Sequence, residues 1–426
     1  MKRGFGKEGG VVDERLFTAI SKNIDGYREE VIWLQRELTS RPALGPKNGG
    51  QGEHEKVAFI KTLLERLRPD SLMEIRAPDP EAKGGYRPNL LARWESDERG
   101  GKVWVLSHSD IVPPGDLNLW DQDPYEIKVE GDKIYGRGVE DNQHGFVSSY
   151  LGLKAILEYG LRPLRSVGLV VVADEETGSR HGLEYLLENH PDIFSPEDLI
   201  IVPDGGNEDG TMIEIAEKSI LWIRFEINGK QCHASTPQKG KNSLIGAAAL
   251  IMELQALRKR FDTRDELFRP PVSTFEPTKI ETNVPNINTI PGRDVFHMDC
   301  RILPQMAADD VLTACQEIAS SVGNRLGLGV NVEVVFRQDA PPPTSKDSRV
   351  VIALSKAIEQ VTGKKPQPMG IGGGTVAAFF RRRSLPAAVW LTSPDTAHQP
   401  NEYCLIPDIL SDAKVLAYLY LGMDEA

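Results

Sequence analysis

The chain has 426 residues, 40% of them hydrophobic, and a formal net charge of −12. That length suggests two or three domains with sizeable cores, and the acidic balance, with no basic stripe interleaved with aromatics, excludes a nucleic-acid binder. No segment approaches the roughly 18–20 apolar residues of a membrane span, the first thirty residues show no basic-then-apolar leader, and four scattered cysteines without CxxC spacing read as reduced thiols of a cytoplasmic protein.

Helical periodicity covers residues 14–40 and 54–67, separated by a turn-rich Pro/Gly stretch. Beyond residue 100 strands alternate with helices: strand 103–106, helix 142–159, strand 167–173, helix 182–189, strand 199–202. Short, continuously apolar, β-branched strands of this kind belong to a mostly parallel sheet covered on both faces. The pattern changes near residue 213. Residues 220–227 alternate strictly, with Leu221, Ile223, Phe225 and Ile227 on one face. Residues 294–302 do the same with Phe296, Met298, Cys300 and Ile302, as expected of an antiparallel sheet with one covered face. Helical segments at 242–260 and 307–325 can cover it. With a strand at 329–336, the order strand, helix, strand, strand, helix, strand is ferredoxin-like. A Pro-rich linker at 339–345 leads back to a helix at 347–361, a Gly-rich loop at 370–374, a strand at 387–391 and a helix from residue 407. The expected fold is therefore α/β. Residues 1–212 and 340–426 form a three-layer αβα domain, and 213–339 are inserted into it as a ferredoxin-like α+β domain.

Active sites of open α/β sheets lie beyond the carboxyl ends of the strands. His108 and Asp110 follow strand 103–106, Glu175 and Glu176 follow 167–173, Asp204 follows 199–202 and His398 follows 387–391. Asp141 ends a Gly-kinked loop that enters a helix. Adjacent carboxylates at the end of a buried strand repel, and a cation or a shared proton resolves the conflict. A strand-terminal Asp is ordinarily a turn former or helix cap, so the argument rests on the conjunction. Nitrogen and oxygen donors without a thiolate suit zinc, cobalt or manganese. Five such donors exceed the needs of one four-coordinate zinc, and a carboxylate shared by two ions roughly 3.5–4 Å apart accounts for the surplus.

The motifs that carry these residues are Ser-His-Ser-Asp at 107–110, Tyr-Gly-Arg-Gly-Val-Glu-Asp at 135–141, Asp-Glu-Glu-Thr-Gly at 174–178 and Pro-Asp-Gly-Gly at 203–206. Cys-His-Ala-Ser-Thr-Pro at 232–237 and Ala-His-Gln-Pro-Asn-Glu at 397–402 complete the set. In order and spacing they resemble a di-zinc metallopeptidase family that includes aminoacylases, acetylornithine deacetylase, succinyl-diaminopimelate desuccinylase, glutamate carboxypeptidase and dipeptidases. The resemblance implies that His108 and Asp204 bind one metal, Glu176 and His398 the other, and that Asp141 bridges. It makes Asp110 the partner that fixes the His108 ring, Glu175 the general base and His233 the stabiliser of the oxyanion. It gives Arg301 a substrate carboxylate, and Asn242, Gly374 and Thr375 further substrate contacts. The inserted domain becomes a lid through which homodimers form, with His233 supplied by either subunit.

Three departures qualify the match. Asn142-Gln-His-Gly145 replaces the Lys-Gly of many relatives, and His144 reads as a surface helix histidine. Val376 stands where many relatives carry an aspartate after the threonine. Asp204 matches the dipeptidase and tripeptidase branches, where deacylases typically have Glu. The expected protein is a cytoplasmic amidohydrolase with two divalent metals, zinc first and cobalt or manganese as alternatives. Its substrate is a small peptide or N-acyl amino acid with a free carboxylate. The rival readings are a deacylase of acetylornithine or succinyl-diaminopimelate type, and a silent binding relative, against which the retained Glu175 and ligands speak.

Overall fold

A computed structural model describes residues 14–96 and 101–423. The reading of no leader rests partly on residues 1–13, which lie outside the described residues. The chain divides into two compact units, one of Met1–Ile215, Thr344–Pro368 and Phe379–Ala426, the other of Ala216–Pro343 and Met369–Ala378. The Gly-rich loop thus groups with the second unit.

The larger sheet runs in the order Ser71–Pro78, Tyr86–Trp94, Val167–Val172, Val103–His108, Leu199–Val202, Ala387–Val389, Met212–Glu217, Gln367–Ile371. Its four central strands, from Val167–Val172 to Ala387–Val389, are parallel and buried throughout. Antiparallel neighbours flank them on both sides. The first unit is therefore the expected mixed α/β fold with a parallel centre. Helix Gln143–Glu158 is buried along most of its length and packs on helix Ile406–Tyr420. The helical stretch 14–40 is two helices, Glu14–Asp25 and Arg28–Thr39, broken where the Gly26 amide bonds back to the Asn23 carbonyl. Sequence periodicity missed the antiparallel pair Ser71–Pro78 and Tyr86–Trp94. Arg76, Arg87, Pro88 and Arg93 interrupt any apolar run there, and the cost of burying Arg87 is met by partners far away in the chain.

The second unit carries a four-stranded antiparallel sheet in the order Thr274–Ile280, Arg293–Ile302, Ser219–Asn228, Gly329–Gln338. With helices Ser243–Leu254 and Ala308–Leu326 this is the ferredoxin-like order read from the pattern. Register pairs Leu221 with Cys300, Ile223 with Met298 and Phe225 with Phe296. The two phenylalanine rings stack at 4.8 Å, and the helices close over them with Leu250, Leu254, Val311 and Val322. Strand Thr274–Ile280 gave no clear sequence signal. It contains Pro277, which sits at a register break on an edge strand, where a missing N–H is tolerated. Among the described residues no helix is long and apolar enough to cross a membrane, and all four cysteines are free.

Candidate metal centre

His108 is the last residue of its strand. Glu175 and Glu176 lie in a single 3₁₀ turn after Val167–Val172, entered through Asp174 in the left-handed region at φ 62°. Asp141 precedes the helix Gln143–Glu158, and His398 sits at φ 63° in the loop after Ala387–Val389. These elements bring together two groups of donors, His108 with Asp141 and Asp204, and Asp141 with Glu176 and His398. Within each group the ligand atoms lie within 4.8 Å of one another. Asp141 belongs to both. Its Oδ1 is 2.8 Å from His108 Nε2 and its Oδ2 is 3.0 Å from His398 Nε2. Asp204 Oδ1 stands 3.4 Å from His108 Nε2, and Glu176 Oε2 stands 3.1 Å from His398 Nε2. Four of the five are largely buried, while the His398 side chain is 54% exposed.

The electrostatics are those of a cation site. Burial, then the nearby Asp204 carboxylate, holds the Glu175 carboxyl well above the usual range. Burial and Asp141 push Glu176 up to about 7, and burial also raises Asp204. Burial disfavours a charged His108, yet Asp204, Asp110 and Asp141 together raise it well above an ordinary histidine. Hydrogen bonds to Asp141 and Glu176 lift His398 to about 10. Burial alone would raise Asp141, but the two imidazoles outweigh it and hold the carboxyl far down. A divalent cation satisfies carboxylates such as these and leaves histidines neutral, their ligating form. Imidazole nitrogens and carboxylate oxygens on every side fit a divalent metal.

Neighbouring side chains fix these donors. His108 Nδ1 bonds to the backbone carbonyl of Asp110 at 3.0 Å, with the Asp110 carboxylate 3.5 Å away. The ring is thus oriented chiefly by the main chain. The Asp110 carboxylate also accepts the backbone N–H groups of Glu175 and Glu176 at 3.1 and 3.0 Å. Asn142 donates to Asp204 at 2.7 Å and accepts the His108 amide at 3.3 Å, tying two ligands together. Gly206 allows its loop to close on the segment just past strand Ala387–Val389, since a Cβ there would lie 1.6 Å from the Leu391 carbonyl oxygen.

The chain matches peptidase family M20/M25/M40 over residues 104–421. An uncharacterised metallohydrolase of Methanococcus maripaludis is 40% identical over 407 residues, covering 91% of this chain and 97% of the relative. The chain belongs to peptidase family M20/M25/M40. Within the family, a succinyl-diaminopimelate desuccinylase of Gluconacetobacter diazotrophicus is 27% identical, with 91% of this chain and 95% of the relative covered. The crystal structure of human carnosine dipeptidase 1 shares the fold at a TM-score of 0.72 and 19% identity, covering 96% and 99% of the two chains. As a family member the protein is a divalent-metal-binding hydrolase of amide bonds.

The substrate-side residues expected from the family all lie in the second unit. His233 is exposed in a two-residue ribbon paired with Thr289–Ile290, its Nδ1 2.7 Å from the Ser235 hydroxyl. Arg301 donates twice to Asp299, at 2.6 and 3.0 Å, and once to the Gly372 carbonyl at 2.8 Å. Asn242 caps helix Ser243–Leu254 by accepting the amides of Leu244 and Ile245. Gly374 is exposed, and Thr375 donates its amide and hydroxyl to the buried Glu217. His144 is not a surface residue. It is fully buried with Nε2 3.0 Å from Asp412, because its helix is covered by Ile406–Tyr420. Sequence reading gave no role to Arg87 or His181, which contact the Asp174 carboxylate. Arg87 is 3.4 Å and His181 3.0 Å from its carboxylate. Neither carries a sequence signal, since polar and glycine residues surround both.

Proposed function

We propose that the protein hydrolyses the amide bond of a small peptide, or of an N-acyl amino acid, that carries a free carboxylate. The observation that carries this reading is Asp141 facing His108 and His398 with opposite oxygens, the arrangement of a carboxylate shared by two ions. Zinc is the first candidate for both, with cobalt and manganese as alternatives. When bound, such ions act as Lewis acids on the amide carbonyl and on the attacking water. His108 and Asp204 hold one and Glu176 and His398 the other. Glu175 takes the proton of the attacking water and delivers it to the leaving amine, a general acid–base role. Asp110 serves by gripping the backbone of the Glu175-Glu176 turn. We assign His233 to the oxyanion and Arg301 to the substrate carboxylate, with Asn242, Gly374 and Thr375 as further contacts. Free cysteines accord with a cytoplasmic setting, and homodimerisation through the second unit is part of the proposal.

Asp204 in place of Glu favours the peptidase form of the reaction. The desuccinylases among the sequence relatives favour the second form, deacylation of an N-succinyl or N-acetyl amino acid. A panel of free-amine dipeptides against N-acetyl and N-succinyl amino acids, with zinc, cobalt or manganese supplied, separates the two. Turnover of dipeptides alone establishes the peptidase, turnover of acyl substrates alone the deacylase, and no turnover in any arm refutes both.

A further inference from the structure

Two buried carboxylates that bind nothing in the proposed reaction join the loop of Asp141 to the loop of His398, and each sits on the opposite loop from the one it holds. Glu402, four residues past His398, is fully buried. Its Oε1 accepts the amides of Glu140 and Asp141 at 2.9 and 3.1 Å, and its Oε2 accepts the Gly138 amide at 3.0 Å and Arg137 Nη1 at 2.6 Å. Glu140, next to Asp141, is 3% exposed. It accepts the Thr396 amide at 2.8 Å and the hydroxyls of Ser393 and Thr396. The held loop is conformationally demanding. Asp395, His398 and Asn401 all occupy the left-handed region, at φ 60°, 63° and 58°. Non-glycine residues persist there only when their surroundings over-determine them. His398 is also the most exposed of the five donors, so little packing holds its ring.

We propose that Glu140 and Glu402 form a reciprocal clasp that sets the separation of Asp141 and His398, and so governs the affinity of the ion held by Glu176 and His398. They are positioning residues and touch neither substrate nor ion. Asp141 is shared, but the ion held by His108 and Asp204 keeps both of its own donors outside the clasped loops, whereas the other keeps only Glu176, so the clasp weighs mainly on the second. The inference rests on the metal reading given above.

The test titrates Zn²⁺ into the chelator-stripped full chain against a competing chromophoric chelator, comparing wild type with Glu140→Gln, Glu402→Gln and Thr396→Val. The valine variant keeps the shape of Thr396 and removes only its hydroxyl, so it serves if a carboxylate variant fails to fold. Wild type is expected to bind two ions. The variants are expected to keep one affinity within about threefold and to lose roughly 10–100-fold at the other, the usual effect of removing a partner behind a metal ligand. The thermal midpoint of the stripped protein is read alongside. Equal losses at both ions together with a lower stripped midpoint would mean a merely structural role and overturn the clasp. Wild-type affinities for both ions in every folded variant would overturn it alone. Absence of zinc binding in wild type overturns the metal reading itself, and the clasp with it.

Discussion

Replacing Asp110 with Asn changes one atom in a buried place and separates two roles for this side chain. In the structure the carboxylate is 2% exposed and each oxygen accepts one backbone N–H of the Glu175-Glu176 turn. Asparagine keeps one acceptor and turns an NH₂ toward the other amide, so one bond to a charged acceptor is lost and the second becomes neutral. With hydrogen bonds to charged groups at ~1.5–3 kcal/mol and neutral ones at ~0.5–1.5 kcal/mol, the change costs about 2.5–4.5 kcal/mol of stability. The turn carries the proposed base and a ligand, and a displacement of about 1 Å at such a position costs on the order of 10²-fold in kcat. Urea unfolding with and without chelator reads the first quantity, and kcat on the best substrate of the panel reads the second. If the carboxylate served only to orient His108, the stripped protein would lose little stability. An unfolding midpoint and a kcat both equal to wild type would refute the reasoning.

Glu175→Gln should leave zinc stoichiometry intact while kcat falls ~10²–10⁴-fold, the range for a lost general base; retained turnover would move the base elsewhere. Arg301→Ala should raise KM for substrates with a free carboxylate and leave their amidated analogues unchanged; equal KM changes for both would remove the carboxylate assignment. Arg87→Leu strips the cation from Glu53, Asp79 and Asp174, all largely buried, and should cost ~3–5 kcal/mol in urea unfolding. A loss below 1 kcal/mol would show that these three carboxylates do not depend on Arg87 for their burial. Chelation should abolish hydrolysis, and re-addition of zinc, cobalt or manganese should restore it, with the most effective ion identifying the preferred metal.

The parallel centre of the large sheet and the ferredoxin-like order of the second unit were both legible because their signals are local. Continuous apolar runs mark strands buried on two faces, and strict alternation marks strands buried on one. Three antiparallel strands were not. Ser71–Pro78, Tyr86–Trp94 and Thr274–Ile280 carry charges or proline, and only their neighbours make strand the favourable state. Four of the candidate ligands were legible because they lie at strand ends, where an open α/β sheet places its site, and Asp141 because it ends a Gly-kinked loop entering a helix.

What the sequence offered by itself is the inventory: five candidate metal donors, a proposed base beside them and the order of elements that carries them to one end of a sheet. Only the tertiary structure decided how each is held. Asp110 was expected beside the His108 ring, where its carboxylate stands 3.5 Å from Nδ1, and it also grips the backbone of the Glu175-Glu176 turn. His144 was expected at the surface and is buried against Asp412. Glu140 and Glu402, 262 residues apart in sequence where Glu402 accepts the Glu140 amide, meet in a clasp. The physical reason is the same in each case. Which donor a buried carboxylate satisfies depends on which strands and loops lie beside it in space, and residue spacing along one strand carries no information about contacts between distant ones.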